Sequence, residues 1–385
     1  MYGLSVKIDG KPAPVSVETG YVAIRESVDF FVPSATVVFR DRMSNFVSTY
    51  PFMQDTEVEL SIDDNLKINK HSFFAFSSNK PQTQKGVEDF EITLDLLSKF
   101  ADPLLTGSEY HSKKCTASDY IRYIADKCKL KADIEATNEV RSWINPNWKY
   151  AQMIRYLAQR SISASGSGGF LYFVQADGTL VFKSIDRLFD DEVGVDVTAG
   201  SYKILSEEGL DNMSNKTMVI TDNHYANVVL GANNLNVTFY DYRLGKNVTT
   251  EVDYSKYLKK RGTVKGVSLG MVKKGNSKFM GTWSSTTNTN PSSLMMPVYN
   301  KVLRQFESTQ LQLMLPLDNK LKVGGVINLS VPANMDIIST GVNLNYSGRY
   351  IIKTMMSVGH GDYMQKLILV RPGISLPLKR KPNYV

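Results

Sequence analysis

The chain has 385 residues, 42% apolar and 22% charged, with a formal net charge of +7 and two cysteines. This length divides into roughly two to four domains, and the composition excludes an intrinsically disordered chain. No apolar run approaches the ~20 residues of a membrane-spanning helix, and Met1 to Gly10, carrying Lys7 and Asp9, is not read as a signal peptide. Cys115 and Cys128 sit in or beside one predicted helix, too few for a disulfide framework, which fits a reducing cytosol.

The first hundred residues read mostly as strand. Val15 and Val17, Val37 and Phe39, the trio Val58, Leu60 and Ile62, and the run Phe90, Ile92, Leu94 and Leu96 all alternate with polar neighbours. Period two gives each strand one buried face, as in an antiparallel sheet or barrel. The period then changes. Ile121, Ile124, Ala125 and Cys128 form one stripe of a helix over 117–129, started by Thr116 with Asp119 three residues on. A second helix is predicted from Trp148 to Ser161, with Asn147 as its N-cap and Ala151, Ile154, Leu157 and Ala158 inward. Ser163 to Gly169 stops it. A hairpin follows, Phe170 to Val174 and Thr179 to Ile185, turning at Asp177-Gly178.

Strand-like patterns resume from Lys203 to Tyr242, notably Thr217 to Thr221 and Val228 to Leu230. Gly245 to Asn290 is basic and polar and reads as an insertion. Between Tyr254 and Asn290 there is no acidic residue, whereas Lys256, Lys259, Lys260, Arg261, Lys265, Lys273, Lys274 and Lys278 all fall there. Such a stretch reads first as a solvated face, then as a docking surface for an acidic neighbour, and last as a DNA reader, since no DNA-binding motif accompanies it. Pro297 opens a short helix carrying Val298, Val302, Leu303 and Phe306. Leu311, Leu313 and Leu315 alternate next, followed by strands at 326–331, 350–356 and 364–370. The layout of 309–370 repeats that of 35–97: an alternating strand, a turn-rich excursion, a second strand, then two longer strands joined by a polar turn.

Chemistry is hard to find. No Walker loop or G-x-G-x-x-G is present, and Gly166 to Gly169 ends a helix instead of opening one. His71, His111, His224 and His360 lack metal-ligand spacing. Cys128 reads as a core thiol, and His360 near Asp362 as part of a tight turn between strands. Carboxylates such as Glu207-Glu208 and Asp190-Asp191-Glu192 have no readable separation. No catalytic, cofactor or metal residue is assigned, and no enzyme activity or cofactor is expected.

The run Trp148-Lys-Tyr-Ala-Gln-Met-Ile-Arg-Tyr-Leu-Ala-Gln-Arg160, with Gly168 to Val174 and Asp177 to Leu180 after it, is one of two telling stretches. The other joins Leu315 to Leu329, Ser347 to Ile352 and Tyr363 to Leu369. Together they resemble the baseplate hub proteins of contractile-tailed bacteriophages, the superfamily of late-control protein D and of the hub part of valine-glycine repeat G spike proteins. The resemblance implies a homotrimer in which each chain supplies two tail-tube-like β domains. The fold class expected is β-rich α+β: two tail-tube-like antiparallel β-barrel domains with an intervening α/β domain and a basic insertion. The boundaries expected are 1–100 for the first β domain, 101–195 for the middle domain, and 196–242 with 297–372 for the second β domain. The insertion spans 243–296 and a C-terminal tail 373–385.

The resemblance further implies a ring that adapts a six-fold tail tube to a three-fold spike and lets DNA pass without sequence-specific binding. Its partners would be further copies of itself, the tail tube protein, a separate central spike protein and neighbouring wedge proteins, in a virion tail assembled in the host cytoplasm. Lys379, Arg380 and Lys381 of the tail join the basic residues above as a candidate interaction surface. Two rival readings are a nucleic-acid-binding protein using the basic 256–278 segment and a tail enzyme that degrades peptidoglycan.

Overall fold

The computed structural model describes residues 3–13, 17–41, 56–63, 68–79, 90–191, 193–198, 218–222, 235–241, 245–252, 277–283, 299–300, 302–303, 306–307, 309–330, 347–360 and 362–371. The chain begins with strands β1 (Gly3–Ile8), β2 (Lys11–Pro12), β3 (Val17–Ser27), β4 (Ser34–Asp41), β5 (Glu57–Asp63), β6 (Ile68–Asn79) and β7 (Phe90–Ser98). The middle follows with α1 (Ala101–Thr106), β8 (Ser108–Thr116), α2 (Ala117–Lys127), β9 (Lys131–Ile134) and β10 (Val140–Lys149). It continues through α3 (Tyr150–Ala158), β11 (Phe170–Val174), β12 (Thr179–Ser184) and α4 (Ile185–Asp190). Then come β13 (Val193–Thr198), β14 (Met218–Asp222), β15 (Leu235–Asp241), β16 (Lys246–Val252) and β17 (Ser277–Trp283). The last four are β18 (Thr309–Pro316), β19 (Val326–Ser330), β20 (Gly348–His360) and β21 (Asp362–Arg371).

The repeat read from the pattern is present in the hydrogen bonding. In the first unit the strands pair in the order β3-β4-β7-β6-β5-β1, and in the second β14-β18-β21-β20-β19-β13. The two orders match position for position. They differ at the last step, where β1 meets β5 antiparallel and β13 meets β19 parallel. Nor are the units separate sheets: β3 pairs antiparallel with β20, which fuses them into one 13-stranded sheet.

Alternation explains the cores. In β4, Val37 and Phe39 are buried with Ile92, Leu94 and Leu96 of β7 and Leu60 of β5 in the first unit's core. In β18, Leu311, Leu313 and Leu315 join Ile351, Leu367 and Leu369 in the second. The hairpin β11–β12 is buried on both faces, which accounts for its nearly unbroken apolar runs. Phe173 and Val181 enter the second unit's core, while Phe170, Leu180 and Phe182 face Ile121, Ile154 and Leu157 of α2 and α3. The helical residue Tyr299 donates its hydroxyl to the Phe170 carbonyl at 2.7 Å. The middle is thereby bolted onto the second unit.

Local signals mostly hold. Thr116 Oγ1 accepts the Asp119 amide at 3.1 Å and so caps α2 as expected. Gly178 takes φ +80° in the hairpin turn, and a Cβ there would stand 2.5 Å from the Phe100 ring. His360 and Asp362 are opposed at the tip of the β20–β21 hairpin, as the turn reading requires.

The second helix starts later than predicted. Asn147 is not its N-cap: it sits at φ +66° in a bulge of β10, and α3 begins at Tyr150. The reason lies two residues back. Asn145 Oδ1 accepts the Trp148 amide at 2.7 Å while its Nδ2 donates to the Trp148 carbonyl at 3.2 Å, holding the bulge. The capping role passes to Gln152, whose Oε1 accepts the Lys149 amide at 3.1 Å. The insertion also carries regular structure. β16 and β17 flank β15 in a three-stranded sheet, so β15, placed in the second β domain by the expected boundary at 242, pairs with insertion strands.

Candidate assembly interface

The seam between the units is short and heavily fastened. From Thr354 to Gly359, β20 lies against Ser27 to Val22 of β3. The Ser27 and Thr354 hydroxyls are 2.9 Å apart, and the Val28 amide donates to the Lys353 carbonyl at 2.9 Å. The Lys353 ammonium lies 2.8 Å from Asp29 and 2.9 Å from Glu307. Burial alone would pull its pKa down, but the hydrogen bonds it donates to the two carboxylates outweigh that and leave it raised.

Beneath the seam lies a cavity of about 110 Å³ lined by β3, β5, β6, β20, β21, the β11–β12 turn and the β18–β19 connection. Glu26 of β3 is 6% exposed and accepts the Ala176 amide at 3.0 Å. Desolvation pushes its carboxyl up to about 7 against the lowering effect of that bond. His71 of β6 is held down to about 4 by burial, and its Nδ1 is buried without a hydrogen-bond partner. The Asp177 carboxylate and Lys322 ammonium meet at 2.8 Å on the rim.

Matching the two units strand by strand exposes an asymmetry at their edges. One edge of β20 is shared, with β19 along Gly348 to Ile351 and β3 from Thr354 onward. The equivalent strand β6 pairs with β5 from Ile68 to Phe74. Past that point the Ala75 amide still donates to the Thr56 carbonyl at 3.0 Å, and from Phe76 to Asn79 the β5-side edge of β6 pairs with no described strand. Likewise β14, the equivalent of β3, pairs with β18 on one side and with no described strand on the other. Among the described residues, each unit thus keeps one open edge whose counterpart in the other unit is occupied by the seam.

Of the sequence-assigned basic residues, Lys278 alone is among the described residues. Lys256, Lys259, Lys260, Arg261, Lys265, Lys273, Lys274, Lys379, Arg380 and Lys381 lie outside the described residues. Lys278 stands in β17, opposite Asn236 of β15. Sequence reading missed Glu26, His71 and Lys353. The available signal was a charged residue inside an apolar strand run, Glu26 after Val22-Ala-Ile24 and Lys353 after Tyr350-Ile-Ile352.

No family model matches the sequence, and no curated relative does. Solved structures do match. Over 98% of both chains, the protein superposes on a tail protein from Neisseria meningitidis MC58 with a TM-score of 0.61 and 13% identity. A 43 kDa tail protein of prophage MuSo2 from Shewanella oneidensis matches at TM-score 0.62 and 10% identity, over 97% of this chain and 99% of that one. An Escherichia coli protein matches at TM-score 0.52 and 9% identity, covering 98% of this chain and 80% of that chain. It is described as a type VI secretion component similar in structure to the T4 bacteriophage tail proteins gp27 and gp5. The chain has the fold of these phage tail proteins, so the sequence resemblance to baseplate hubs holds at the level of the fold.

Proposed function

We propose that the protein is a structural hub of a contractile phage tail, in which three copies close into a ring. The observation that carries this reading is the β3–β20 seam. It is a worked example of how a second unit receives the edge of a first. Applying the same pairing between chains sets β14 of one copy against the open end of β6 in the next, antiparallel like the seam. Repeating the step three times consumes every such edge. Closure of this kind is how symmetric assemblies dispose of exposed strand edges. Three chains then present six similar units around one lumen.

Six units facing one way and three chains facing the other match a six-fold tail tube to a three-fold spike, supplied as a separate protein. DNA crosses the lumen without sequence-specific contacts, and wedge proteins surround the ring. The basic residues from Lys256 to Lys278, with Lys379, Arg380 and Lys381, are assigned to acidic neighbours in the tail. Assembly takes place in the host cytoplasm, and the product is part of the virion. Negative-stain electron microscopy of the purified protein tests this: class averages are expected to show rings with six lobes alternating in two kinds. Compact particles without a lumen would contradict it.

A further inference from the structure

We propose that the cavity under the seam is a proton-controlled latch, which holds the middle's hairpin turn to both β units in mildly acidic solution and loosens in alkali. Three bonds fix that turn. Gln175 Nε2 donates to the Val323 carbonyl at 2.9 Å, and Lys322 Nζ donates to Asp177 Oδ2 at 2.8 Å; both reach the second unit. The third runs from the Ala176 amide to Glu26 Oε2 at 3.0 Å and ties the turn to the first unit. Glu26 sits in the seam strand itself, opposite Met355. One carboxyl therefore touches the joint between the two units and the clasp of the middle.

The charged and titratable groups around Glu26 come from every side of the cavity: His71 and Lys70 from β6, Asp177 from the turn and Lys322 from the β18–β19 connection. The cavity has room for several waters beside Glu26 and the unpartnered Nδ1 of His71. Burial acts oppositely on the two. The raised carboxyl of Glu26 contributes stability that is fully present below its ordinary 4.5 and lost as pH rises through about 7. The depressed imidazole of His71 contributes stability present above its ordinary 6.5 and lost as pH falls through about 4. Between those limits the cavity holds a neutral acid and a neutral imidazole. Between pH 4.5 and 6.5 the unfolded chain carries a carboxylate and an imidazolium, so the two proton differences cancel and stability is flat. Above pH 6.5 the balance ends: up to about 7 the folded Glu26 keeps a proton the unfolded chain has lost, and the ionised carboxylate then draws water into the cavity and favours opening, although its own bond to the Ala176 amide strengthens.

Hydrogen exchange read by mass spectrometry on the full chain tests the latch, with rates corrected for the intrinsic pH dependence of exchange. Opening of the 175–178 turn releases Glu26 and leaves His71 in β6, so in the native protein protection of the turn is expected to fall about tenfold between pH 6 and about 7 and to level off from there to pH 8.5, one decade per pH unit below the raised value. Protection across α2 serves as the internal reference and is expected to stay level. Glu26→Gln keeps an acceptor for the Ala176 amide without a charge, and it is expected to hold the turn's protection constant over the same range. Native protection that stays flat, or a Glu26→Gln profile that falls in parallel with the native one, overturns the proposal. Should the variant fail to fold, the native profile against its α2 reference decides alone.

Discussion

Replacing Phe173 with Ala is expected to lower the unfolding free energy by about 3–5 kcal/mol, the range for deleting a fully buried aromatic ring. Phe173 is 1% exposed and stands where the hairpin β11–β12 enters the second unit's core. Its ring lies against Gly324, where a Cβ would come within 2.4 Å of Phe173 Cζ. Gly324 itself is at φ +80° and donates its amide to the Ile352 carbonyl at 2.9 Å. The void cannot be closed by collapse, because the glycine opposite has no side chain to move into it. A loss on this scale takes a large share of a typical domain's stability, about 5–15 kcal/mol. Chemical denaturation followed by tryptophan emission measures it directly; a loss below about 1 kcal/mol would show that the hairpin does not bridge the cores.

The second large effect concerns assembly. In β14, adjacent residues point their amides to opposite sides, so of Val219 and Ile220 one donates toward β18 and the other toward the open edge. Proline at the outward position removes a donor from the proposed ring contact and leaves the β18 ladder intact, since edge strands tolerate proline there. Comparing Val219→Pro with Ile220→Pro is thus a built-in control. One is expected to lower the melting temperature. Its neighbour is expected to keep the circular dichroism and melting temperature of the parent while assembly is lost. Assembly that survives both substitutions would exclude β14 as a ring-closing strand.

How much of this was written in the sequence depends on distance along the chain. Signals spanning a few residues were legible: the Thr116 cap, the Asp177-Gly178 turn, and the alternation that buries Leu311, Leu313 and Leu315. The repeat was legible as an order of patterns, and the pairing orders bear it out. The α4 helix went unread, although Ser184 accepting the Arg187 amide at 3.3 Å is an ordinary cap, because Ile185 completed a convincing strand alternation. The β8–β10 ribbon was also missed. Pro146 argues against a strand, and the bulge that accommodates it depends on the Asn145 side chain. Hardest of all was the seam, whose hydroxyl pair Ser27–Thr354 joins residues 327 apart. Period-two patterns tell which face of a strand is buried and nothing about which strand lies beside it. The candidate interface, the Glu26 cavity and the Lys353 clamp all follow from that pairing, so none of them was accessible before the topology.

The most direct test of self-assembly through the open edges is the mass in solution, by light scattering coupled to size exclusion over a wide concentration range. A species of three times the 43.1 kDa chain mass that persists on dilution is expected. A mass of one chain at every concentration would contradict it.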